Sequence, residues 1–308
     1  MNENRWELRY GDEVFPDSLM EEGAPHVEVL YGRGDPSVLQ TSCLSIIGAR
    51  RATPYGIAIS EMAGRIAAES GITVVSGGAM GCDYAGSRAA LNAGGKTIIV
   101  SGVGADKVYP ASSADIFAEA AAGAGAVISL ERWGKDPRKH AFPRRNNIIE
   151  ALSQSLMVAE AGERSGTMST ADAALRMDRT IYAAPGSIFS PTSQGTNRLI
   201  AEGALPICSE MDLESRIAMD YGLLRMTVDD ETIEHGEVLS ALAASPARPD
   251  DLAPRLEMHV LTLLSELADY EARGIVERLV DGRYSLTARA YEQYRTGRQF
   301  FTGGKAEG

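Results

Sequence analysis

CLSIIGARRATPYGIAISEMAGRIAAESGITVVSGGAMG, Cys43 to Gly81, is the stretch that decides the fold. It opens on a short apolar run, Cys43–Ile47. Thr53-Pro54 then reads as an N-cap with Pro at the first helical position, and Tyr55 to Ser70 is helix-periodic. Gly71 stands just past the helix, where a left-handed residue commonly closes it. Ile72–Val75 is a second apolar run, and SGGAMG turns the chain again. Continuous apolar strands joined by a helix belong to a parallel sheet buried on both faces.

The alternation continues outward. Helix is expected over Cys82–Ala93, Ala114–Ala122, Asn146–Ser153 and Ser169–Met177, and strand over Thr97–Val100, Ala126–Leu130, Ser155–Glu160 and Arg179–Ala184. Residues 41–222 thus read as a doubly wound, mostly parallel α/β domain. Residues 1–40, with FPDSL and VEVLYGRG, are an N-terminal lead-in, expected as a small cap leading into the sheet. Residues 223–234 are acidic and read as a linker. Residues 235–290 give three short helices and two extended runs joined by Asp281-Gly282, a strong hairpin signal and together a winged-helix pattern. Residues 291–308 are a tail.

Composition narrows the function. The chain has 308 residues, with 42 acidic against 30 basic, a net charge of −12. That sign argues against a protein coated non-specifically in nucleic acid, while leaving room for a local basic site. The three Cys are far apart, so no disulfide framework or cysteine zinc site is expected, and a reducing compartment fits. No apolar run reaches about 18 residues, so no membrane span is expected. The opening MNENRWELRYGDE does not read as a secretion signal. A cytoplasmic protein is expected.

Doubly wound sheets bind ligands at the carboxyl ends of their strands. The loop after the first strand offers Gly48 for a tight turn, then Arg50 and Arg51 beside a helix start, an arrangement suited to an anion. The GxGxxG fingerprint and the phosphate-binding P-loop are absent, as is HExxH, and the four His are scattered. No cofactor and no metal are expected. The densest feature is ERWGKDPRKHAFPRRNNIIEALS, Glu131–Ser153. Between Arg132 and Arg145 lie Arg132, Lys135, Arg138, Lys139, Arg144 and Arg145, with Asp136 as the only acid there and Trp133 and Phe142 interleaved. Cations neutralise phosphates and aromatic faces stack unpaired bases, which favours single strands over duplex. Further on, Ser165, Gly166 and Thr167 open a helix where hydroxyls and free amides suit phosphate, and Gln194, Thr196 and Asn197 open another. The residues alone leave blander readings open: solvated arginines, a basic loop with a buried Phe142, and a simple N-cap by Ser165 or Thr167. No catalytic nucleophile, base or paired carboxylates are evident.

Five blocks in order carry a resemblance: IGARRATPYG, VVSGGAMGCDYAGSRAALNAGGKTIIVSGVGADKVYP, FPRRNNIIEALS, VAEAGERSGTMSTADAAL and APGS followed by QGTNRLIAEGA. Together, over about Tyr31–Ile207, they resemble the DNA-processing protein A family (DprA, also called Smf). The resemblance implies an extended Rossmann-like fold that binds single-stranded DNA. It also implies protection of incoming DNA in natural transformation, loading of the RecA recombinase, and a homodimer without catalytic turnover. By motif, Arg50, Phe142, Arg145, Asn146, Gly166 and Thr167 carry over as DNA-binding positions, and Gly77 and Asp83 as the residues that shape the second loop. Gly48 shapes the first. Charge adds Arg51, Lys135, Lys139 and Arg144 to the expected DNA contacts. Two departures stand out. Ser87 replaces the family's histidine, and Asn147 replaces a cation, for which Arg144 offers compensation.

The competing class is an enzyme, a nucleotide phosphoribohydrolase of the lysine-decarboxylase-like group, which shares a Rossmann-like fold and a Gly-Thr helix start. Thr170 stands where that group's catalytic glutamate would be, leaving no evident carboxylate for an oxocarbenium-like transition state. In the C-terminal domain, Met258–Glu271 is the helix in the recognition position. Val260, Leu261, Leu263, Leu264 and Leu267 are expected to be packed inside, leaving Glu266, Asp269 and Glu271 to solvent. This domain is therefore expected to be a protein-contact or regulatory module rather than the main DNA reader.

Overall fold

The computed structural model describes residues 4–223, 237–279, 281–287 and 290. Its first strands, Arg5–Arg9 (β1) and Val29–Gly34 (β2), pair antiparallel, and β2 continues antiparallel onto a later strand, Gly125–Ser129 (β6). The lead-in is therefore part of the sheet itself and not a separate cap. Alternation in Arg5–Arg9 puts charge outward and Leu8 inward, the pattern of an edge strand with one wet face.

The decisive stretch folds as read. Cys43–Ile47 (β3) is buried throughout. Pro54–Glu69 (α1) starts at Thr53, whose hydroxyl accepts from the Gly56 amide. Thr73–Ser76 (β4) follows and lies parallel to β3. Next come Cys82–Asn92 (α2), Thr97–Ser101 (β5) and Ala114–Glu119 (α3). An irregular turn at Ala120–Ala124 then leads into β6. Ala141–Leu152 (α4), Ser155–Val158 (β7), Gly166–Arg176 (α5), Thr180–Ala183 (β8), Gln194–Ala201 (α6), Leu205–Pro206 (β9) and Glu210–Tyr221 (α7) complete this unit.

The strand order is β1-β2-β6-β5-β4-β3-β7-β8-β9. From β3 the chain winds one way through β4, β5 and β6, then crosses back to β7 on the other side. The switch point therefore lies between β3 and β7, where a doubly wound sheet opens a crevice beyond the strand ends. Period-two alternation divides the core in two. Ile47, Val75, Leu156 and Ile181 face Ile148, Ala171 and Leu199 of α4, α5 and α6. Leu44, Ile46, Val74 and Tyr182 face Ala63, Ile66 and Leu213 of α1 and α7. This is the doubly wound, mostly parallel fold the alternation called for.

One boundary moves with consequence. α4 begins at Ala141 and not at Asn146. Pro143 falls in its first turn, where the amide that Pro lacks has no intrahelical partner in any case. Phe142, Arg144 and Arg145 are thereby fixed on a helix instead of a loop.

The chain divides into two compact units, residues 1–226 and 227–308. The second holds Glu237–Ala244 (α8), Pro249–Arg255 (α9), Val260–Ala272 (α10), Val276–Arg278 (β10) and Tyr284–Leu286 (β11), the last two paired antiparallel. Leu239, Leu242, Leu263, Leu267, Val276 and Leu286 form its core. The helix order and the hairpin match the sequence pattern. The face of α10 does not: Leu261 is 67 % exposed, and Val260 and Leu264 are also open, because their positions turn away from the stripe that buries Leu263 and Leu267. Almost all of the expected linker and the whole of the tail lie outside the described residues. Among the described residues no helix is long and apolar enough to cross a membrane.

Candidate nucleic-acid interface

A cavity of about 520 Å³ opens at the switch point. Its walls come from the loop after β3 (Gly48, Ala49, Arg50), the turn after β4 running into α2 (Ala79, Asp83), α4 (Arg145, Asn146, Ile149) and the start of α5 (Ser165, Gly166, Thr167, Thr170). Four stretches far apart in sequence converge there because the parallel strands all end on the same edge.

Arg145 is 5 % exposed. Its Nη1 donates to the Val100 carbonyl at 2.8 Å. Burial lowers its pKa to about 10, with the nearby Asp83 charge pulling the other way. Asp83 is buried too, and its carboxylate accepts from the Gly77 amide at 3.0 Å. Burial raises the Asp83 pKa, opposed first by the Arg145 charge. The two groups thus hold each other's charge in a site that alone would disfavour either. Gly77 must be glycine for this: a Cβ there would run into the Arg145 guanidinium. Gly48 is likewise fixed by close approach, since a Cβ would lie 2.5 Å from Cys82 Sγ.

Phe142, half-buried one turn before Arg145, has the Arg50 and Arg145 guanidinium carbons each 5.9 Å from its ring centre. The exposed ring of Tyr109 tilts against it at 5.7 Å. Tyr109 was not among the sequence candidates; the signal was an aromatic in a strand-end loop, VYP. Arg50 is exposed while Arg145 is not, so the ring has both a buried cation and an accessible one beside it.

The helix starts differ from expectation. The amide of Thr53, before α1, donates to Glu160 Oε2 and its hydroxyl to Oε1, both at 2.8 Å. The buried Glu160 therefore occupies the anion position at the start of α1, and the Thr53 amide there is taken. Its place at a strand end was the available clue. The start of α5 is the open one. Ser165 makes no capping bond, and its hydroxyl is buried without a hydrogen-bond partner. Gly166 is exposed, with open space where a side chain would be. Thr167 Oγ1 donates to the Gly48 carbonyl at 3.2 Å, and Asn146 Nδ2 donates to Thr170 Oγ1 at 2.9 Å. These bonds lock the two walls together and leave the first amides of α5 facing the cavity, where an anion is favoured.

The remaining candidates are dispersed. Arg51 and Lys139 are exposed and Lys135 is half-buried, none of them among the cavity's walls. Arg144 lies 4.0 Å from Glu131 and lines a separate hollow with His26, Tyr31 and Arg132. Trp133 is committed to packing: its Nε1 donates to Glu7 at 2.8 Å, it meets Tyr31 edge-on, and Arg5 lies over it. Ser87 is buried under β4, sharing a hydrogen bond with Ser76, so that departure lies in the core and not in the cavity wall.

A family model described as DNA recombination-mediator protein A matches residues 7–218. The chain belongs to that family. Protein Smf of Escherichia coli is 28% identical over 293 residues, 92% of this chain and 78% of the relative. DNA processing protein DprA of Streptococcus pneumoniae is 35% identical over 202 residues, 66% of this chain and 71% of that one. Among solved structures, the S. pneumoniae protein superposes with a TM-score of 0.64 at 32% identity, covering 68% of this chain and 73% of the other. DNA processing protein A from Helicobacter pylori, described for its unique single-stranded DNA binding mode, gives 0.63 at 29%, covering 71% and 98%. Both likenesses support the Rossmann-like reading of the first unit.

Proposed function

We propose that this protein binds single-stranded DNA across the switch-point cavity, protects incoming DNA and loads the RecA recombinase onto it. It works as a homodimer in the cytoplasm, by binding and not by catalytic turnover. The observation that carries the reading is the Phe142 ring set beside the guanidiniums of Arg50 and Arg145, two residues of the wall of a cavity that also includes an uncapped helix start. An aromatic face takes an unpaired base, and cations with free amides take the adjoining phosphates. Family membership and the single-stranded DNA binding mode described for the H. pylori relative add support. Arg50, Phe142, Arg145, Asn146, Gly166 and Thr167 act at the cavity, while Arg51, Lys135, Lys139 and Arg144 act as outlying phosphate contacts. The winged-helix reading of the second unit belongs to the same proposal.

The test is a titration with single-stranded and blunt duplex oligonucleotides at several salt concentrations. Clear preference for the single strand, with little dependence on sequence, is expected; equal affinity for both forms refutes the reading. Incubation with nucleoside monophosphates should release no free base. Thr170 holds Asn146 and carries no carboxylate, so release at enzyme-like rates would favour the hydrolase reading instead.

A further inference from the structure

The loop after β8 carries an aromatic that the site above leaves unused. Phe189 is 89 % exposed and its neighbour Ile188 is 75 % exposed. Exposure of that degree on two adjacent large apolar side chains calls for a function. The loop is not slack. The Asn197 side chain clamps Gly186 from both sides, accepting from its amide and donating to its carbonyl, each at 3.0 Å. Tyr55 donates its hydroxyl to the Pro185 carbonyl at 2.6 Å, and the Phe189 amide donates to Ser187 Oγ at 3.2 Å. The Gly195 amide, at the far end, donates to the Ala161 carbonyl at 2.8 Å. An apolar pair is thus presented to solvent on a braced support.

Beneath this loop lies a second hollow, lined by Gly162, Glu163, Arg164, Ser165, Pro191 and Gln194. Ser165 lines both this hollow and the switch-point cavity. The two are therefore adjacent across a single residue, whose hydroxyl is buried without a partner. Arg164 is exposed at this junction. The sheet order places Tyr109 in the loop after β5 and Phe189 in the loop after β8, on opposite sides of the switch point. Four strand spacings separate those loops, roughly 19 Å along the sheet edge.

We infer that Phe189 is a second nucleobase-stacking site. On this view a single strand leaves the cavity past Ser165 and Arg164 and lays a further base on the Phe189 ring. The inference rests on the single-strand reading above and adds a direction to it, across the strand ends from the β5 side to the β8 side. Ile188 widens the apolar platform, and Asn197 is a positioning residue that holds the loop.

The experiment compares full-length Phe189→Ala, Phe189→Trp and Arg50→Ala with the parent protein, using oligothymidylates of about 4 and about 12 nucleotides. Phe189→Ala should weaken the longer ligand about five- to a hundredfold and leave the shorter one within about twofold. Phe189→Trp should restore the longer one, with tryptophan fluorescence quenched on binding beyond that of the parent. Arg50→Ala should weaken both lengths. If Phe189→Ala binds both lengths as the parent does while Arg50→Ala is impaired, the second site is overturned and the first stands. If the parent binds neither oligomer, the single-strand reading itself has failed. If Phe189→Ala instead changes the sedimentation of the free protein, the loop joins copies of this chain and the inference is wrong.

Discussion

Phe142 and Glu150 lie two turns apart on α4 and do opposite things. Phe142 is half-buried, with the guanidiniums of two cavity-wall arginines, Arg50 and Arg145, beside its ring. Phe142→Ala should therefore cost roughly 1–3 kcal/mol of single-strand affinity. It should cost less stability than the 3–5 kcal/mol typical of a core aromatic, which melts beside binding curves will separate. Glu150 is 1 % exposed, and neither carboxyl oxygen has a hydrogen-bond partner. Burial lifts its pKa well above the ordinary carboxylate value, against the pull of Arg179. A raised folded pKa favours the folded state fully below the unfolded value and loses that contribution as pH rises through the folded one. The parent should therefore lose stability relative to Glu150→Gln as pH rises above the ordinary carboxylate range, and urea midpoints at about pH 5 and about pH 8 will show the trend. Parallel pH profiles for the two proteins would place the charge in a better-solvated site than its burial allows.

At the scale of elements, α10 combines an acidic character with exposed Val260, Leu261 and Leu264, which suits a protein contact better than a phosphate backbone. Removing residues from about 235 onward should leave single-strand affinity within a few-fold, since the cavity and its own core lie wholly in the first unit. Loss of binding with the first unit still folded would reassign the second as a DNA reader. The elements also show what could be read in advance. α1 was legible because Thr53-Pro54 and Gly71 mark both ends chemically. The start of α4 was not, because Pro143 and the cations around it look like a loop until the first-turn exemption is granted. β1 and β2 were missed because their partner, β6, lies far along the chain, and non-local pairing leaves no local signature. The arginine and glycine positions of the cavity followed from strand-end placement. The Glu160 bond to Thr53 and the Asp83–Arg145 partnership did not, since each joins residues that only the folded sheet brings together.

For the whole molecule, a net charge of −12 surrounds a cavity whose accessible cation is Arg50 and whose open amides belong to α5. Binding should weaken as salt rises, with a slope of about −0.7 per phosphate neutralised, and Arg50→Ala should flatten it by about one such step. A slope unchanged in the variant would make Arg50 a surface cation only. The sheet's two ends have a different consequence. One margin is β1, with Arg5, Glu7 and Arg9 along it, and the other is β9, two residues long and closed by Pro206. Charged or proline-stopped margins offer no long run of bare amides and carbonyls to a passing strand. Should copies of this protein crowd together, as single-strand binding would have them do, these margins disfavour their zipping sheet to sheet.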